Sequence, residues 1–265
     1  MELDIKYLKS YQDKLNQEVV REIYDEIPES FIQFSNSKII NYCLQQIKGS
    51  AKHKQTARVL HSWIENNVIA IDDEDKGKIR RFDRLESIWL DIVIEARKFG
   101  IPLDSLKQTR RDLTESPVKN FSLLKFSILD TILRNPKVLM ILEDGFTNVV
   151  SFETYTKWIS KGLFPTHINF KLMDFISLEY PNNAFGIDFK LSNPYEDKNK
   201  MTLLYFLKTG DYKYIKLHLD KGDVRLIEDS NILAQNEELM KIISDWNFTK
   251  VTIIINDEME TSINL

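Results

Sequence analysis

The sequence predicts an α+β chain, helical through its N-terminal half and closed by a small C-terminal α+β domain with an antiparallel meander. Three observations carry this reading. Apolar residues recur at helical spacing in successive runs between Leu3 and Arg134, the pattern of helices with one buried face. Short apolar and β-branched runs flank Asp75-Lys76-Gly77, as in a hairpin whose glycine supplies positive φ. Nearer the C-terminal end, the turns Lys208-Thr209-Gly210-Asp211 and Asp220-Lys221-Gly222-Asp223 separate further apolar runs.

Composition bounds the answer. The 265 residues are 43% hydrophobic, enough to bury a sizeable core in two or three domains. The 29% charged content is well mixed, which argues against wholesale disorder. No apolar run approaches the roughly 20 residues of a membrane span, and the opening MELDIKYLKSYQDKL is too charged for a secretory core, so a cytoplasmic, membrane-free protein is expected. The single Cys43 excludes an internal disulfide and a multi-cysteine zinc site; inside KIINYCLQQI it reads as a packing residue.

The elements follow in order. Leu8, Tyr11, Leu15, Val19 and Ile23 make a helix that Pro28 stops. A second helix, Lys38 to Ile47, presents Ile39, Ile40, Cys43, Leu44 and Ile47 and ends before Gly49. In Thr56 to Asn66, Val59, Leu60, Trp63 and Ile64 face a core, and Asn67 takes the left-handed position that closes the helix. VIAIDDEDKGKIRRF then reads as a β-hairpin. Asp83 and Glu86 have the spacing of a capping box, in which each side chain serves the other's backbone N–H. Leu85, Ile88, Trp89, Ile92, Ala96 and Phe99 form the next apolar stripe, ended by Gly100. Leu103, Leu106 and Leu113 mark a short helix, and Phe121 to Arg134 another, cut by Asn135-Pro136. Met201 to Leu207, Tyr212 to Leu219 and Val224 to Glu228 are read as strands of the meander, with a helix near Asn236 to Trp246 and a strand near Val251 to Asn256.

Helix, helix, hairpin, helix, helix is the order of a winged helix-turn-helix, and the pieces resemble a known family. VLHSWIENNVI, GKIRRF and DRLESIWLDIVIEARKFGIPLDSLK are similar to the DNA-binding domain of MerR-family regulators. Trp63 and Glu65 fill the end of that family's recognition helix, Val68 and Ile69 its apolar exit, and Arg80 and Phe82 its wing. Phe99-Gly100-Ile101-Pro102-Leu103 fills the step between its last two helices. The resemblance covers about a quarter of the chain, residues 49–113, and departs from the pattern at Asn67, where the family has Gly. It implies a dimeric transcription regulator that binds double-stranded DNA.

Charge distribution agrees with that expectation. The net charge is −4, but residues 48–111 hold fourteen basic residues against ten acidic ones, a local +4 that leaves −8 for the remainder. A basic segment in an acidic chain is an electrostatic footprint for phosphate. In a winged helix the start of the recognition helix meets base edges while the wing neutralises phosphates. Lys52, Lys54, Gln55, Thr56 and Arg58 are therefore candidates at the helix start, with His61 and Ser62 next along it. Gln pairs bidentately with adenine and Arg with guanine; Gln55 and Arg58, three apart, are expected on one helical face. Lys78, Arg80 and Arg81 are the expected phosphate partners on the wing. The four acids Asp72, Asp73, Glu74 and Asp75 confine that contact to the base of the wing.

Enzymatic signatures are missing. The histidines His53, His61, His167 and His218 form no metal-ligand spacing, the acidic run lacks a calcium-loop pattern, and no phosphate-binding or nucleophile-elbow glycine motif occurs. No cofactor, metal or catalytic residue is expected. Trp158, Tyr205, Tyr212 and Tyr214 are read as packing residues, with a ligand pocket as the alternative. The expected organisation is N-terminal helices (1–48), a winged helix-turn-helix (49–116), a connecting or dimerisation helix (117–145) and an effector, dimerisation or partner-binding domain (146–265). An architectural or recombination accessory factor, and a protein-interaction module on a winged-helix scaffold, are the alternative functions.

Overall fold

Mixed helix and antiparallel sheet make up the chain in the computed structural model, which describes residues 26–46, 49–50, 55–71, 81–116, 118–142, 145–162, 166–189, 193–211, 213–220, 223–232, 251–255 and 259–262. Two short helices open it: α1 (Glu29–Ser35), which buries Phe31 and Phe34, and α2 (Lys38–Asn41), which runs on into a π-helical turn at Tyr42–Gln46. Ile40, Cys43 and Leu44 are fully buried, as their spacing requires. The expected helix before Pro28 falls almost wholly outside the described residues.

Strand β1 (Gly49–Ser50) precedes helix α3 (Ala57–Glu65), and β2 (Arg81–Phe82) precedes helix α4 (Arg84–Lys98). The two strands pair antiparallel, Gly49 with Phe82 and Ser50 with Arg81. This corrects the hairpin read from sequence. Its tip and most of its second arm, residues 72–80, lie outside the described residues, and its first arm is no strand: Val68 and Ile69 sit in bends, buried. Their apolar character reflects core packing.

Both α3 and α4 end in the same device. Gly100 (φ +80°) follows α4, its N–H bonding Arg97 O while the Ile101 N–H reaches Ala96 O, both at 3.1 Å. This is a Schellman closure, and it explains a second correction. Phe99, expected in the core, is 63% exposed, because the left-handed step at Gly100 turns the chain so that Ile101, 7% exposed, fills the place instead. The capping box is half formed: Asp83 Oδ1 accepts the Glu86 N–H at 2.7 Å, but the Glu86 side chain is engaged elsewhere.

Helices α5 (Leu103–Thr114) and α6 (Leu123–Leu133) follow. In α6 every residue from Ser127 to Leu133 is buried, the mark of a helix surrounded by protein. It packs against α1, α5 and strand β3 (Lys137–Leu142). The segment expected as a connecting or dimerisation helix is thus an internal element of this chain. β3 is the central strand of a three-stranded antiparallel sheet with β4 (Thr147–Ser151) and β5 (His167–Lys171) at its edges. The sequence reading missed this sheet. Helix α7 (Phe152–Ser160) follows β4 and buries no residue; α8 (Leu172–Glu179) follows β5 and packs on α4 and α6.

The next difference is the largest. Met201 to Leu207, read as a strand, belongs to helix α9 (Lys198–Thr209), whose residues from Met201 on are all buried. A continuous apolar run has no period to distinguish buried strand from buried helix. The signals lie at the ends: Asp197 Oδ1 caps the helix through the Asn199 N–H at 2.8 Å, and Gly210 (φ +71°) closes it. A Cβ at Gly210 would lie 2.0 Å from Asn182 O, so only glycine fits.

Beyond α9 lies a four-stranded antiparallel sheet in the order β7-β6-β8-β9, built from β6 (Lys213–Asp220), β7 (Asp223–Ile232), β8 (Val251–Ile255) and β9 (Met259–Ser262). Asp220 pairs with Asp223 across the expected turn. The helix expected near residues 236–246 lies outside the described residues. One hydrophobic cluster extends from Phe31 to Leu207 and includes Trp63, Trp89, Phe170 and Tyr205, so the divisions drawn at 48, 116 and 145 fall within continuous packing. Among the described residues no helix is long and apolar enough to cross a membrane.

Candidate nucleic-acid interface

Helix α3 is held from one side and open on the other. Leu60 and Trp63 point inward, 4% and 6% exposed. Trp89, fully buried on α4, donates its indole N–H to Val68 O at 2.6 Å, which fixes the exit of α3 to α4. Asn67 takes φ +56°, as its position past the helix end predicts. Its N–H bonds Ile64 O at 2.9 Å and the Val68 N–H bonds Trp63 O at 2.8 Å. One more bond completes the anchorage: the Ala70 N–H donates to Glu86 Oε1 at 2.6 Å, and Glu86 is gripped by Arg110.

The outward side carries the candidate residues. Thr56 is the N-cap, its Oγ1 accepting the Val59 N–H at 3.4 Å, so Arg58 occupies the second helical position. Arg58 and His61 are exposed and Ser62 is half-buried. Spacings of three and four place Arg58, His61, Ser62 and Glu65 on one stripe. His61 Nε2 lies 3.2 Å from Glu65 Oε1 at the surface. Gln55 departs from expectation: it precedes the cap, half-buried, and does not share the helical face of Arg58. The capping preference of Thr56 is the sequence signal that sets this boundary. Of the other candidates, Lys52, Lys54, Lys78 and Arg80 lie outside the described residues, and Arg81 is placed by its backbone in β2.

Two of the segment's basic residues face inward. Arg84, in the first turn of α4, makes a bidentate pair with Asp211, Nη2 to Oδ1 at 3.0 Å and Nη1 to Oδ2, and lies 4.5 Å above the Tyr180 ring. Burial opposes its charge, but Tyr180 and Asp211 outweigh that and hold the guanidinium above its ordinary range. Arg110 is likewise committed to Glu86. Nothing in the sequence pairs residues 84 and 211, so counting charges along the segment overstated its outward positive charge.

No family model, no curated protein and no solved structure matches this chain. The site must therefore be read from its own chemistry. The first turn of α3 contains no acidic residue, and Arg58 sits where the helix dipole already favours an anion. Among the described residues no cluster of His, Cys, Asp and Glu is arranged to hold a metal ion. Tyr205, one of the aromatics considered for a ligand pocket, is fully buried with its hydroxyl 2.9 Å from that of Tyr180, which is core packing.

Proposed function

We propose that this protein binds double-stranded DNA in a sequence-specific manner, as a transcription regulator, through the outer face of α3 and the basic residues that flank β2. The observation that carries the reading is the first turn of α3: Thr56 caps it, Arg58 stands at its second position, and no acid balances them. An arginine at a helix start works against the dipole by a few tenths of a kcal/mol. A phosphate placed there turns that cost into attraction. Arg58 and the helix start then contact backbone, His61 and Ser62 face the base edges, and Lys78, Arg80 and Arg81 contribute phosphate contacts. The anchored inner face, with Trp63 buried and Asn67 closing the helix, keeps those side chains in register.

Selection from a genomic fragment library by the full chain, followed by competition between the enriched site and random duplex, tests the reading. Arg58→Ala should weaken all duplexes together and lower the salt slope by about one. Ser62→Ala and His61→Ala should reduce the ratio of specific to random affinity, by about tenfold for a lost base contact. Gln55→Ala, outside the helical face, should leave that ratio nearly unchanged. Absence of any enriched site, with salt-insensitive duplex affinity, would overturn the proposal.

A further inference from the structure

Where α4 steps into α5, the chain presents a large apolar side chain to solvent. Phe99 is 63% exposed and is held just past α4 by the closure at Gly100 (φ +80°). An exposed ring beside further apolar surface marks an interaction site. That surface is a groove of about 280 Å³ between the step and the near ends of β3 and β5. Ile101, Pro102, Ile141 and Ile168 line it, together with Ser105 and Thr166. A Cβ built on Gly100 would meet no atom within 4 Å, so the groove is open along the backbone of the step.

A protruding aromatic ring and a hollow of apolar residues thus lie side by side on one patch, a combination that fits its own copy. In a two-fold pair both chains offer the same patch, so Phe99 of each can enter the groove of the other and two equivalent contacts form. The groove is smaller than the usual pocket for a small molecule and suits a single side chain. Charge agrees with self-association. Arg97 and Lys98 at the end of α4, and Asp104 and Lys107 in α5, are exposed, so the patch carries both signs and the acid of one copy can answer the bases of the other. A patch of one sign would repel its copy. Helix α6, expected from sequence to dimerise, is internal to the chain and cannot take this role.

We propose that two copies of this chain associate through this patch, with Phe99 of each seated in the groove of the other. The inference does not depend on the DNA reading, and its test contains no DNA. Sedimentation of the full chain between about 1 and about 100 µM should show a monomer–dimer equilibrium. Phe99→Ser, at an exposed position, should keep the circular dichroism spectrum of the parent chain yet weaken association at least about thirtyfold, as for loss of an aromatic anchor. Thr166→Trp, which fills the groove from the exposed residue before β5, should do the same. Mixing the two variants gives the decisive reading. Each lacks one half of the contact and keeps the other, so an equimolar mixture re-forms one of the two contacts and should associate more tightly than either variant alone. The proposal fails if the parent chain is monomeric at about 100 µM, which would leave the groove to a different protein. It fails also if either variant associates as the parent chain does, or if the mixture associates no more tightly than the variants alone.

Discussion

The carboxylate of Glu86 receives both arms of the Arg110 guanidinium, at 2.7 and 2.9 Å, and in the same place accepts the Ala70 N–H. The two side chains are 14% and 16% exposed, so neither charge is well solvated. Breaking such a pair from one side strands the other charge. Arg110→Met should destabilise the fold by about 3 kcal/mol. Pairing it with Glu86→Gln should restore part of that loss. Denaturant unfolding of the single and double variants measures the coupling; additive effects would remove the pair from the stability of the α3 exit.

Asn67 holds a left-handed conformation that glycine adopts without steric cost. Asn67→Gly should leave stability equal or raise it by about 0.5 kcal/mol, and Asn67→Ala should lower it by about 1 kcal/mol. Thermal midpoints of the two variants, which should move apart, check this.

Lys125 is buried in α6 with its ammonium 2.7 Å from Asn41 Oδ1, and burial pushes its pKa down from 10.5 to about 8. Between those values the unfolded chain binds the proton more tightly than the folded one. Stability from this group therefore rises as pH increases from about 8 toward 10.5, and the cost of the buried charge is fully present below pH 8. From pH 7.5 to 9.5 the parent chain should gain about 2 kcal/mol relative to Lys125→Met. Urea unfolding of both proteins at the two pH values reads the difference directly.

On the DNA reading, Arg80 and Arg81 contribute charge and no base contacts. Replacing Arg80 and Arg81 together by Ala should flatten the dependence of duplex affinity on salt by about two counterions and weaken every sequence alike. A slope identical to that of the parent chain would remove these two arginines from the interface.

What was legible in the sequence were the local signals. Asp83 starts α4, Gly100 ends it and Asn67 ends α3, because caps and left-handed positions depend on a few adjacent residues. Trp63 and Trp89 were placed in one core by periodicity alone. Phe99 was misplaced because the stripe it extends stops one residue before it, and the step at Gly100 substitutes Ile101. The α9 helix was hidden by its uniform apolarity. At the candidate interface, helical spacing puts Arg58, His61 and Ser62 on the outer side of α3, while Gln55 stays outside the helix because Thr56 is the better cap. Arg84 and Arg110 could not be sorted from outward-facing cations, since their partners Asp211 and Glu86 lie 127 and 24 residues away.

The bond from Arg84 to Asp211 sets a limit on how this chain can be taken apart. Arg84 opens the helix that anchors the candidate recognition element, and Asp211 stands just past α9, where the chain enters the C-terminal sheet. A fragment ending before residue 211 would leave a guanidinium enclosed over Tyr180 without its counter-ion, and the complementary fragment would lose the partner that holds its first residues. The segment that carries the candidate recognition helix is thus not a cassette to be grafted or expressed alone. Transplanting it into another protein would require carrying along the end of α9, or redesigning Arg84 as an apolar residue.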